Sequence, residues 1–504
     1  MPTPTEIPDR SGQDRTEPEV APTVHAKRDD RNATPVAQAI SGAIGNRVYG
    51  LLLFFLGAIL FAALGFSYER SSMVANADFK PLFYGARCLL TGCDLYSQEQ
   101  LQRIYYAEGD EPQSQKLKLA NNIIWSPYPP AAYMLVAPFA ALPWHVARIL
   151  WTILTCATFL LAAFLMWELG DRSAPVACGF LVFLFLVGQE LLIEVGNPAG
   201  MVVALCLIAV WCFLRKRFEL AGVLCLAVAL AVKPHDSGLI WLYFLAAGSA
   251  FRKRAVQTLL WTVALSLPAI VWAHHQGPEW LSELHHNLVA TSMRGAINDP
   301  GPSALDPRFH GAIIVSLQSA ISLFRDDPRF YNPLSYLIGG LLLIVWFTIG
   351  VRSRFSPSLA PFALATIAAL TMLPVYHRQH DTALLLLTVP ACALLWSEKK
   401  WIGRCALFLT ASAALLLNNL SLQLLGILSA PFCAATSGPL RQLLTVLTTR
   451  PAPLVLLALA GFYLWAYSNK ARFLRGSVEG RPTSLNSFHC SRPGPSSIEP
   501  STCS

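Results

Sequence analysis

The feature that most limits what this chain can fold into is a series of apolar blocks, each about 15 to 22 residues long, separated by short connections that hold many of its basic residues. At about 1.5 Å of rise per helical residue, blocks of this length match the hydrocarbon core of a bilayer. The expected fold is therefore an all-α polytopic membrane protein. The expected spans are 48–68, 148–167, 174–192, 199–214, 220–232, 236–250, 256–273, 331–351, 358–374, 383–397, 402–424 and 452–468, about twelve transmembrane helices in all. Composition agrees: 54% of the 504 residues are hydrophobic and 13% charged, against roughly 25% in ordinary soluble domains, which excludes a soluble multidomain protein.

The net charge of +8 does not indicate nucleic acid, because the basic residues form short clusters between apolar blocks rather than a phosphate-binding stripe. These clusters are Arg172, Arg215 to Arg217, Arg252 to Arg254, Arg352 with Arg354, Lys399 with Lys400, and Lys470, Arg472 and Arg475. If twelve spans alternate, all of them share a side with the N-terminus. The positive-inside rule then makes that side, and both termini, cytoplasmic. Residues 1–46 and 469–504 are polar, without apolar period, and are expected to be disordered tails flanking a membrane domain at 47–468. The first block starts too late and is too long for a cleaved signal peptide, so it reads as an anchor.

The opposite, outer face receives two long loops, 69–146 and 274–330, both expected to contain short helices. The stretch 310–324 reads as a helix lying on or dipping into that face. Cys88 and Cys93 would not face each other on one regular helix, which argues against a disulfide. Most other cysteines lie inside apolar blocks, where a thiol packs as a small hydrophobe.

The unusual polar residues also collect on the outer face. Asp78, just beyond the first span, is suited to act as a general base at the mouth of a membrane cavity, although Asp is equally a favoured helix N-cap. Tyr128, in Trp125-Ser126-Pro127-Tyr128-Pro129-Pro130, precedes a short apolar segment and is placed to line a pocket. Lys233 and His235 occupy a hairpin whose legs are too short to reach the outer surface. Buried there, they call for a polar cavity and an anionic partner, or for a salt bridge between Lys233 and Asp236. His377, Arg378, His380 and Asp381 form a cation-rich turn that suits a phosphate better than a metal, since no helical spacing sets ligand geometry. No metal or other cofactor is expected. Glu190 and Glu194, four apart, offer a paired carboxylate near Asn197. His274, His275, His285, His286, Arg294, Asn298 and Asp299 in the second loop would suit an acceptor-binding surface.

The order of these features resembles the family 87 glycosyltransferases, polyprenol-phosphate-mannose-dependent mannosyltransferases of the GT-C superfamily. The matching residues are Asp78-Phe79, Tyr84-Gly85-Ala86-Arg87, the run Leu89 to Tyr96, Pro127-Tyr128-Pro129-Pro130, Ala137-Pro138, Leu142-Pro143, Gly196-Asn197-Pro198, Arg215, Ala221-Gly222 and Lys233-Pro234-His235. The likeness covers roughly 50–400. It departs from the family where the usual Gly-Gln-x-Asn element is split between Gly188-Gln189 and Gly196-Asn197, and the second loop carries no recognisable signature. The resemblance implies a GT-C-type fold and transfer of a hexose, mannose by likeness alone, from a polyprenyl-phosphate donor to a lipid-linked or glycan acceptor. It implies Asp78 as the base and Lys233, His235, His377, Arg378 and His380 as donor-phosphate contacts. Tyr84, Arg87, Tyr128 and Asn197 would position substrate. The rival from another class is a transporter or lipid flippase built on Glu190, Glu194 and Lys233, but the chain shows no second copy of the Lys-Pro-His hairpin.

Overall fold

A computed structural model of the chain describes residues 35–72, 75–108, 125–296, 298–301, 314–418, 421, 424–425, 427–428 and 438–479. The regular elements among these are helices, in the order α1 Pro35–Ser71, α2 Phe79–Thr91, α3 Gln98–Glu108, α4 Pro130–Ala140, α5 Trp144–Gly170, α6 Pro175–Val187, α7 Leu191–Glu194, α8 Pro198–Arg215, α9 Glu219–Val232 and α10 Pro234–Ala246. There follow α11 Gly248–Gln276, α12 Trp280–Ser292, α13 Leu317–Ile321, α14 Pro328–Arg352, α15 Ala360–Met372, α16 Thr388–Ser397, α17 Trp401–Leu416, α18 Gly438–Thr449 and α19 Ala452–Glu479. Two 3-10 segments, Pro357–Leu359 and Gln379–Leu387, lead into α15 and α16.

Among the described residues, eight stretches are long and apolar enough to cross a membrane: Gly45–Ser71, Trp144–Gly170, Pro175–Glu194, Pro198–Arg215, Phe251–Gln276, Pro328–Arg352, Gln379–Ser397 and Ala452–Leu474. Twelve full-length spans are thus not met by length. The spans expected at 220–232, 236–250, 358–374 and 402–424 correspond to the shorter α9, α10, α15 with its 3-10 lead, and α17. Pro234 explains the first two: it opens α10 directly after Lys233, whose backbone (φ −146, ψ 78) leaves the helical region, so one apolar run becomes two short legs. At the ends, α1 begins at Pro35 and α19 continues to Glu479, so helix extends into both segments expected as tails. A proline opens the first and Ala- and Ile-containing sequence continues it. Residues 1–34 and 480–504 lie outside the described residues, as do 302–313, which include the start of the helix expected at 310–324; only α13 is seen there.

Burial separates inner from outer helices. The Gln379–Ser397 stretch is 83% buried within the protein, whereas Phe251–Gln276 is 17% buried and exposes Leu260, Val263, Leu267 and Val271, the face expected toward lipid. Helix α8 packs between α5 and α9, and α2 packs on α4. The basic connections meet acids at one end of the bundle: Arg47 pairs with Asp171, Arg215 Nη2 lies 2.9 Å from Glu168 Oε1, and Lys470 pairs with Glu398.

Cys88 and Cys93 are bonded to each other, contrary to the reading from spacing. Helix α2 stops at Thr91, and Gly92 takes the left-handed conformation (φ +81) that reverses the chain. The Cys93 amide then donates to the Cys88 carbonyl at 3.0 Å, which brings the two side chains together without requiring one regular helix.

Candidate active site

Where α8 begins, Asn197 serves two elements at once. Its Oδ1 accepts from the Ala199 amide at 2.8 Å, capping a helix that opens with Pro198, and its Nδ2 donates to Asp78 Oδ2 at 2.8 Å. Asp78 occupies the N-cap position of α2, but its side chain makes no capping bond. The carboxylate faces Asn197 instead, so the reading of Asp78 as a cap fails. Its other oxygen lies 3.9 Å from Arg378 Nη1, and the side chain remains 20% exposed.

The backbone under this carboxylate is tightly determined. The Asn76 amide donates to the Glu194 carbonyl at 2.7 Å and the Asp78 amide to the Val195 carbonyl at 3.0 Å, so the start of the first loop is tied to the turn before α8. Gly196 in that turn has φ +64, and a Cβ there would stand 3.0 Å from Phe79 Cβ and from Asn76 Oδ1. Its carbonyl accepts from Trp151 Nε1 at 2.9 Å, and the Trp151 ring stacks on Phe79 at 4.6 Å.

Two other turns complete the cluster. Lys233 Nζ lies 2.5 Å from Asp381 Oδ1 and 3.0 Å from Asp236 Oδ2. Burial alone would lower its pKa, but the two carboxylates outweigh that and raise it. The expected Lys233–Asp236 bridge is therefore present and is joined by a second partner from a distant turn. His377 Nε2 stands 3.0 Å from Asp236 Oδ1, while its Nδ1 is 3.0 Å from the Val375 carbonyl oxygen. The His235 ring packs edge-on to His377 at 5.2 Å, with its side chain 41% exposed. His380 Nε2 is 3.6 Å from Asp381 Oδ1 and nearly buried. Asp381 Oδ2 accepts from the Arg378 amide at 2.8 Å, closing the 3-10 segment's first turn.

Arg378 is positioned from a second side by the second long loop: its Nη2 and the Tyr376 hydroxyl both donate to Asn298 Oδ1, at 2.9 and 2.7 Å. Burial first, then Asp78 and Tyr133, push the Tyr128 phenol up, with Arg378 opposing; Tyr128 thus senses both charged groups. Asp78, Asn197, Tyr128, Lys233, His235, His377, Arg378 and His380 are therefore brought to one neighbourhood.

Two expected positioning residues are not part of it. Tyr84 is buried among Phe83, Tyr105 and Trp144 at ring distances of 5.2, 5.2 and 6.0 Å, so it is core. Arg87 donates to the Ala140 carbonyl at 2.9 Å and pairs with Glu108 at 3.0 Å, joining α2, α3 and the end of α4. Both lie well along α2 from Asp78, on a helix that rises about 1.5 Å per residue. Glu190 is buried, and among the described residues neither carboxylate oxygen has a hydrogen-bond partner; Glu194 contributes its carbonyl to the Asn76 turn. The grouping of Asp236, Asp381, Tyr376 and Asn298 around the expected residues was not read from sequence, since only long-range folding joins the turns.

The chain shows no match to a curated protein or to a solved structure. Residues 125–374 match the family model of glycosyltransferase family 87. That stretch holds Tyr128, Asn197, Lys233 and His235, while Asp78 and the turn from His377 to Asp381 flank it on either side. The chain is, over residues 125–374, a family 87 sequence, and with its long apolar helices it is a membrane glycosyltransferase.

Proposed function

We propose that the protein transfers a hexose, mannose by family likeness, from a polyprenyl-phosphate donor to a lipid-linked or glycan acceptor, with inversion at the anomeric carbon. The observation that carries this reading is the Asp78 carboxylate: it is held by Asn197 through one oxygen, and the other stays partly exposed beside Arg378. The acceptor oxygen attacks C1 of the sugar, its proton passes to Asp78, and the bond from C1 to the phosphate oxygen breaks with its electron pair leaving on polyprenyl phosphate.

The cationic side of the cluster supports the leaving phosphate. Lys233 holds Asp236 and Asp381 in place, and the exposed His235 and the Arg378 guanidinium are the groups that reach the donor. His377 and His380 back the same pocket, and Tyr128 lines it. The polyprenyl chain enters from the bilayer, where a phosphate can meet these groups without leaving the lipid. The site faces the outer side of the cell (inner) membrane, and both termini are cytoplasmic, on the charge asymmetry of the connections.

The test is transfer of labelled mannose from polyprenyl-phosphate mannose by membranes containing the protein. Loss of transfer in Asp78→Asn supports the reading. Unchanged transfer in that variant, or dissipation of a solute gradient with no donor accepted, would overturn it.

A further inference from the structure

We infer that His235, Asp236 and His377 bind a first-row divalent cation whose open side receives the donor phosphate; the second half of this statement rests on the reading above. One ligand atom from each of the three residues lies within 4.8 Å of the others. His377 Nε2 is 3.0 Å, and His235 Nε2 3.7 Å, from the same oxygen, Asp236 Oδ1. Two imidazoles and a carboxylate are donors suited to zinc or manganese, less to calcium.

The orientation of His377 points the same way. A carbonyl oxygen only accepts, so the contact with Val375 places the ring proton on Nδ1. Nε2 of the neutral ring then turns a lone pair toward Asp236 Oδ1, which also carries only lone pairs. Both atoms are buried and stand 3.0 Å apart, with no proton between them in that tautomer. A ring whose far nitrogen donates to a backbone carbonyl is oriented as metal-bound histidines are. A cation between Nε2 and Oδ1 satisfies both.

Charge balance supplies an independent reason. Around this pocket the carboxylates of Asp78, Asp236 and Asp381 face two fixed cations, Lys233 and Arg378. Two cations shared among three carboxylates leave little positive charge for a phosphate, and a divalent cation adds to what Arg378 and His235 offer. Lys233 occupies Asp236 Oδ2, which leaves Oδ1 to the cation, and the exposed His235 marks the open side. The rival arrangement is a second proton on His377: burial lowers its proton affinity, and Asp236 more than restores it. His380, Asp381 and Tyr376 also face this pocket.

The experiment uses the full chain in lipid nanodiscs, stripped with a chelator and titrated with Co2+, whose visible absorption reports nitrogen and oxygen ligation. The expected result is a spectrum that saturates at one ion per chain and is lost in His377→Ala and in His235→Ala, while His145→Ala retains it. His235 is exposed, so its variant keeps the test valid if His377→Ala does not fold. No spectrum, or one that both site variants leave intact, overturns the cation site in favour of the doubly protonated ring. Transfer from polyprenyl-phosphate mannose is measured in parallel. Full transfer by stripped protein with no Co2+ spectrum removes the cation and leaves the donor reading standing; a bound cation with no transfer removes the donor reading and leaves the site.

Discussion

Asn197 donates to Asp78 Oδ2 at 2.8 Å with the same side-chain amide whose oxygen caps α8, so the helix start and the candidate base are oriented by one residue. Asn197→Ala should lower kcat more than it raises KM, because Asp78 loses its orientation while the pocket persists. It should also cost about 1 kcal/mol of stability from the lost cap. Asp78→Asn keeps the shape and loses the base, so transfer should fall by about a hundred- to ten-thousand-fold without loss of stability. Steady-state kinetics and thermal unfolding in detergent measure both.

Lys233 is the shared counterion of Asp236 and Asp381. Removing one member of a buried ion cluster leaves uncompensated charge, so Lys233→Met should destabilise by about 3–5 kcal/mol. The double variant Lys233→Met with Asp381→Asn should regain part of that loss. A double variant no more stable than Lys233→Met would show that the pairing with Asp381 contributes nothing.

Gly196 has φ +64, and any Cβ there presses on Phe79 and Asn76. Gly196→Ala should shift the Asp78 turn and reduce transfer, with a stability cost of at least about 1 kcal/mol from the backbone strain alone. Wild-type kinetics in this variant would show that the turn tolerates displacement.

Glu283 of the second loop lies against Asp94 of the first. Burial first, and then the shared proton with Asp94, move the Glu283 carboxyl from its ordinary 4.5 up to about 7. A carboxyl raised in the folded state contributes its stability below the ordinary value and loses it as pH rises through the folded one. Protection of the contact between the loops from hydrogen exchange should therefore be greatest below about pH 4.5, fall as pH rises from there to about 7, and change little above it. Glu283→Gln should flatten that profile, and an unchanged slope in the variant would assign the dependence elsewhere.

Much of the candidate site was legible as residue types in turns: Asp78, Lys233, His235 and His377 to Asp381 stand out because charge is scarce in so apolar a chain. Local chemistry also announced the caps and breaks, as at Asn197-Pro198 and Lys233-Pro234. Tyr84 and Arg87 pack against neighbouring helices, a placement the sequence does not distinguish from a cavity-facing one because an aromatic or an arginine on an amphipathic helix looks the same in either. The Cys88–Cys93 bond was missed because a single left-handed glycine changes which residues meet.

What the sequence by itself determined is the solvent of the fold: apolar length requires a bilayer, and backbone hydrogen bonds in a bilayer require helices. What only the tertiary structure decided is which charges meet. The pairing of Lys233 with Asp381, of His377 with Asp236 and of Asn298 with Arg378 joins turns far apart in the chain. Ion pairs and hydrogen bonds of that kind depend on separations of a few ångströms, and helix packing, not sequence spacing, sets those separations.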